Sequence, residues 1–134
     1  MRLALLSLLL LFTAAPQSGG GRSALLNREF KLKVGQEAVV RPGGLKVRFD
    51  GVVEDSRCPE GVNCIWAGNA RITVRLRGAG GRPASVELNT GAEPRRHTHM
   101  QYEVELLDLS PYPKEGKATD RRSYVATLKV RGSV

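Results

Sequence analysis

The chain predicts an all-β fold, an antiparallel β-sandwich, on three observations. Apolar and polar residues alternate with a period of two through most of its length. Glycine- and proline-rich turns interrupt that alternation at short intervals. Beyond the first residues, no stretch carries a long amphipathic period of 3.6. Six or seven short strands in a chain of 134 residues suit two packed sheets better than a closed barrel.

The strands follow in order. Phe30, Leu32 and Val34 share one face, with Glu29, Lys31 and Lys33 opposite. Gly35 separates them from a short strand at 37–40, and Pro42-Gly43-Gly44 turns the chain. Leu45, Val47 and Phe49 then alternate with Lys46, Arg48 and Asp50. The cleanest alternation runs over 70–77, where Ala70, Ile72, Val74 and Leu76 face Arg71, Thr73, Arg75 and Arg77. Gly78 to Gly81 closes that strand, and Ser85 to Leu88 answers it. Tyr102, Val104 and Leu106 give the next pattern, and Tyr124, Ala126, Leu128 and Val130 the last. Immunoglobulin-like Greek-key topology is the expected form, although the widely spaced cysteine pair of such domains is absent.

The first residues carry a different message. Arg2, then an apolar run from Leu3 to Phe12, then Thr13, Ala14 and Ala15 make the three-part pattern of a secretory leader. The run is too short to span a bilayer. We therefore expect residues 1–20 to be a signal peptide, 21–28 a flexible leader and 29–134 the sandwich. The expected location is periplasmic or secreted, with no transmembrane span once the leader is gone.

A formal charge of +8 admits anionic surfaces, polysaccharides or stray nucleic acid as partners beside a protein, although solubility accounts for most of it. Arginines outnumber lysines 15 to 6, a bias that genome composition also produces. With 5% aromatic residues, there are too few stacking platforms for nucleic acid to be the expected ligand.

The irregular residues concentrate in Asp55–Ala70, DSRCPEGVNCIWAGNA, which holds both cysteines and the single tryptophan. Cys58 and Cys64 are close enough for a local disulfide, the simplest state of such a pair in an exported chain. Thiol redox chemistry is disfavoured, because it wants Cys-x-x-Cys at a helix N-terminus. Copper or zinc is a further alternative, with His97 and His99 as weak metal candidates on one side of an extended segment, although two ordinary loop or edge-strand histidines are the favoured reading. No cofactor is expected. Trp66 has two readings: an indole packed on the disulfide over the open end of the core, which is favoured, or an exposed anchor for a partner. Arg57 has two candidate partners, Asp55 or a neighbouring strand, and Asp55 and Ser56 are placed to cap the turn.

No catalytic machinery is legible. The chain lacks a nucleophile elbow, H-E-x-x-H and a phosphate loop. Glu103 and Glu105 fall on the polar face of a strand, where solvation accounts for them.

Asp55-Ser56-Arg57-Cys58-Pro59 followed by Cys64, Trp66, Ala67, Gly68 and Ala70 resembles a family of small exported bacterial proteins and lipoproteins. Most of its members have no assigned function. The likeness extends to the strands between Phe30 and Phe49 and to the Leu-x-Pro-x-Pro stretch at 109–113. No cysteine follows the apolar leader closely, so the resemblance implies a product without the lipid of its lipoprotein members. Val34-Gly35-Gln36 is also similar to the opening strand of chagasin-like cysteine-protease inhibitors, which are immunoglobulin-like. Their Asn-Pro-Thr-Thr-Gly-Tyr loop is missing here, so this likeness speaks to fold alone.

The expected function is a binding or structural module, not an enzyme. Its candidate binding loop is Asp55, Arg57, Pro59, Glu60, Asn63 and Trp66, braced by Cys58–Cys64. A protease inhibitor presenting 59–63 is the alternative. An enzyme or a His-x-His metal binder comes third.

Overall fold

The computed structural model describes residues 21–132, so the expected signal peptide lies outside the described residues. Nine strands form two sheets. β1 (Arg22–Leu25), β3 (Glu37–Arg41), β4 (Leu45–Asp55), β5 (Ala70–Arg77) and β6 (Ala84–Asn89) make a five-stranded sheet in the order β1-β3-β4-β5-β6. β2 (Glu29–Lys33), β7 (Arg96–His99), β8 (Tyr102–Ser110) and β9 (Val125–Gly132) make the second, ordered β2-β9-β8-β7. The two sheets pack face to face with one local disulfide at the edge of the sandwich. Hairpin-connected runs β3–β6 and β7–β9 are meanders, and the chain changes sheet at β1–β2, β2–β3 and β6–β7.

The apolar alternation fills the core. Leu45, Val47 and Phe49 of β4 and Ala70, Ile72, Val74 and Leu76 of β5 are fully buried. Val104 and Leu106 of β8 meet them from the other sheet with Ala126, Leu128 and Val130 of β9. Tyr102 closes one end of this layer and Tyr124 the other. Gly43 is obligatory beneath Tyr102: a Cβ there would lie 1.9 Å from the phenolic oxygen, and its φ is +106°.

Strict alternation fails at three bulges, and each matters for what the strand presents. In β4 the register with β5 shifts between Phe49 and Gly51 and again between Val52 and Glu54. Each shift inserts one unpaired residue and bends the strand. Val52 thereby turns toward the core and Val53 outward, the reverse of a simple period of two. The two slips cancel by Asp55, which pairs with the buried Ala70 and so faces inward at the end of the sandwich. In β8 a shift between Leu106 and Asp108 returns Leu109 to the core.

Three expectations need correction. The segment read as a flexible leader holds β1, which pairs in parallel with β3 from Arg22↔Ala38 to Leu25↔Arg41 and buries Ala24. A four-residue strand with one inward alanine gives too weak a period to see in sequence. Its parallel pairing also departs from the otherwise antiparallel sheets. Glu105 is not solvated: it is buried beneath Arg96 and Arg131, and Arg131 also reaches Glu103. The third concerns Trp66 and is taken up with the site.

If 21–28 were a tether, Ala24→Asp would change stability by no more than about 0.5 kcal/mol. Because Ala24 sits in the core, we expect the substitution to cost about 2 kcal/mol or more, read from the urea midpoint of the purified domain.

Candidate functional site

The site is the end of the sandwich where β4 stops and β5 starts, and its geometry begins with Asp55. The inward-facing carboxylate would be stranded among apolar groups without a partner. Arg57, two residues on, supplies one. Its Nε donates to Asp55 Oδ1 at 2.9 Å and its Nη2 to Oδ2 at 2.9 Å, a fork against both oxygens. The side chains are only 5% and 10% exposed, so this is a buried ion pair.

The rest of the guanidinium is satisfied across the fold. Nη1 donates to the Leu109 carbonyl at 2.5 Å and Nη2 to the Pro111 carbonyl at 2.9 Å. The Tyr112 ring lies over the guanidinium carbon at 4.5 Å, a cation–π contact. Tyr124, the residue before β9, donates its hydroxyl to Asp55 Oδ2 at 2.8 Å. The Glu60 amide donates to the Pro113 carbonyl at 2.9 Å, and Glu60 bridges to Lys114. The DSRCP stretch and the Leu-x-Pro-x-Pro stretch are therefore two halves of one clasp.

Charge follows the geometry. Burial favours protonated Asp55, but hydrogen bonds from Arg57 and Tyr124, with the charge of Arg57, outweigh it. The carboxyl is held below its ordinary range. Burial and the bond to Asp55 push the Tyr124 phenol up. Across the second sheet, the hydrogen bond from Arg131 is the main cause that holds Glu105 below its ordinary value.

Beyond the clasp the chain leaves as a necked loop. Ser56 N donates to the Asn69 carbonyl at 2.7 Å, and Ser56 Oγ donates to it at 2.9 Å. Gly68 makes this neck possible: its φ is +70°, and a Cβ would come within 2.3 Å of the Ser56 carbonyl. Asn69 Nδ2 donates to Asn89 Oδ1 and Asn69 Oδ1 accepts from Gly91 N, which ties the neck to the β6–β7 turn. Cys58 and Cys64 are joined in a disulfide, closing a second, smaller ring outside the neck. Loop-closure entropy makes such a ring worth about 2 kcal/mol.

The expected loop residues divide between these two structures. Asp55 and Arg57 belong to the buried clasp. Pro59 is half-buried, Glu60 is fixed through its backbone, and Asn63 is exposed beside Cys64. Trp66 does not pack over the core. It is 61% exposed, and its neighbour Ile65 is 97% exposed. Arg57 and the two tyrosines occupy the place that the indole was expected to seal. Ile65 carries no sequence signal for the site, Tyr112 only the Leu-x-Pro-x-Pro pattern around it, and Tyr124 reads in sequence as a core position of the last strand.

Two open depressions flank the clasp. One, of about 230 Å³, includes Pro111, Tyr112, Lys117 and Asp120 in its lining. The other, of about 260 Å³, lies against Val52, Asp55, Arg121 and Tyr124. His97 and His99 lie elsewhere, on β7 opposite Val104 and Tyr102. Among the described residues no third His, Cys, Asp or Glu joins them, and no helix is long and apolar enough to cross a membrane. Comparison of the chain with protein-family models, curated proteins and solved structures gives no match.

Two outcomes follow from the clasp. Arg57→Ala leaves a buried carboxylate uncompensated and should cost about 3–5 kcal/mol in chemical denaturation. Arg57→Lys should recover little of it, since an ammonium cannot reproduce the fork and the two carbonyl bonds. The second outcome concerns acid. Asp55 and Glu105 are both depressed in the folded state, so in acid the unfolded chain binds more protons. Their contribution is complete above about pH 5 and drains as pH falls through about 4 toward the folded values. The melting temperature should therefore fall between about pH 5 and 2, and Asp55→Asn should flatten that slope while lowering stability at neutral pH.

Proposed function

We propose that this protein is an exported binding module, periplasmic or secreted, and that Ile65 and Trp66 on the disulfide-closed loop are its contact residues. One observation carries the reading: the two largest apolar side chains of the loop stand in solvent on a short segment anchored by the disulfide at Cys64 and by the neck at Asn69. Burying an indole against a partner is among the stronger single contributions an interface has. A loop already held by a disulfide and a pinched neck loses little conformational entropy on binding.

The same contrast favours binding over fold stabilisation as the role of the tip. Stability is supplied below it, by Asp55, Arg57 and Tyr124, and the tip side chains add nothing to that clasp. An oxidising compartment agrees with the disulfide, since reducing conditions would open the ring. The clasp polar groups are engaged with one another, so a binding role accounts for this end better than a catalytic one.

Because Trp66 is the single tryptophan, its fluorescence reports directly on the loop. The free domain should emit like a solvated indole and be readily quenched by iodide. Ile65→Ser/Trp66→Ser should leave the urea midpoint within about 0.5 kcal/mol of wild type. Immobilised wild type should retain a partner from the exported proteins of its source that the variant does not. Wild type and variant retaining the same partners equally well would sink the proposal. Inhibition of a serine or cysteine protease by wild type alone would identify that partner as an enzyme.

A further inference from the structure

A second feature lies on a different face and does not rest on the Trp66 loop. The outer side of β4 and β5 carries positive charge that the fold does not require. Register sets Lys46 directly opposite Arg77 and Arg48 opposite Arg75. Like charges in facing positions repel, so this arrangement weakens the sheet that bears it. Asp50 relieves it only in part, lying 3.0 Å from Arg48 and 3.1 Å from Arg75, one carboxylate shared by two guanidiniums. Lys46 and Arg77 make no ion pair with any of the described residues. Together with Glu37 and Pro83, the four cations line an open depression of about 170 Å³. Arg75 and Arg77 are exposed and Lys46 and Arg48 half-buried, with the Arg48 Nε buried against Asp50.

We infer that this face binds a linear polysaccharide carrying sulfate or carboxylate groups. The cations form two rows, about 7 Å apart along the strands and about 5 Å apart between them at the backbone. Such a ladder can meet successive charges of an extended polyanion. Guanidinium forks match the oxygens of a carboxylate or a sulfate.

The surroundings favour this ligand over the other polyanions. β4 and β5 are interior strands, flanked by β3 and β6, so no free backbone edge is offered for a peptide to join as an added strand. No aromatic residue lines the depression, so the bases of a single-stranded nucleic acid have nothing to stack on. Ile65 and Trp66, which could enter a bilayer interface, sit beyond the opposite end of β4. What the face offers is four cations in a regular array, with the carboxylates of Glu37 and Asp50 beside Arg48.

The test titrates the purified domain with a heparin octasaccharide and a galacturonic acid octamer. Sodium sulfate, phosphatidylglycerol vesicles and an oligothymidylate are run at matched charge. We expect one of the two sugars to bind most tightly, and binding to weaken as salt is raised through the screening range. Preference between the two sugars tells sulfate from carboxylate. Lys46→Gln/Arg77→Gln should weaken that binding by about tenfold or more, while Trp66→Ser leaves it unchanged. Without ligand the double variant should melt no lower than wild type, because a repulsive pair has been removed. Absence of binding by both sugars would overturn the inference. So would equal affinity in the double variant, or tighter binding of sulfate ion, vesicles or oligothymidylate than of either sugar.

Discussion

The buried pair of Asp55 and Arg57 is the interaction on which this end of the molecule depends. A carboxylate turned into the open end of a sandwich is costly unless every lone pair finds a donor. Here both oxygens do, from Arg57 and Tyr124. The remaining guanidinium donors reach the carbonyls of Leu109 and Pro111. One side chain thus ties the end of β4 to the connection between β8 and β9, on the other sheet. Isolated buried ion pairs often contribute little net stability. This one also fixes the exit direction of the cysteine loop, which a pair of apolar residues could not specify.

That arrangement divides the irregular segment into two layers with different tasks. The inner layer is polar and hydrogen-bonded, buried at Arg57 and reaching the surface at Ser56: Asp55, Ser56, Arg57, Asn69 and the residues they grip. The outer layer, from Cys58 to Ala67, is held at its base by the Ser56–Asn69 neck and across its width by the disulfide. Gly68 permits the two legs to touch. Apolar side chains at the tip are then a cost to solubility with no benefit to the core, which is why they read as a contact surface.

The two outward-facing features sit at opposite ends of the same pair of strands. β4 begins beside Lys46 and its facing Arg77, and ends at Asp55, where the cysteine loop departs. The strands are therefore a rigid spacer between an apolar tip and a basic sheet face. Both features run against what stability alone would select: solvent-exposed Ile65 and Trp66 at one end, facing like charges at the other.

By itself the sequence determined the sandwich. A period of two over 45–49, 70–76, 102–106 and 124–130 is enough, because a one-residue slip would expose each strand's whole apolar face. It also indicated the Cys58–Cys64 pairing and offered Asp55 as one of two partners for Arg57, since these residues lie close along the chain. What depended on distant residues was decided only by the tertiary structure. The bulges of β4 and β8, which set the directions of Val53 and Leu109, arise from pairing against β5 and β9. β1 exists because β3 offers it an edge. The fate of Trp66 turned on the same kind of fact: Leu109, Pro111, Tyr112 and Tyr124, more than forty residues further along the chain, had already closed the end of the core around Arg57. With that place filled, the indole was left outside.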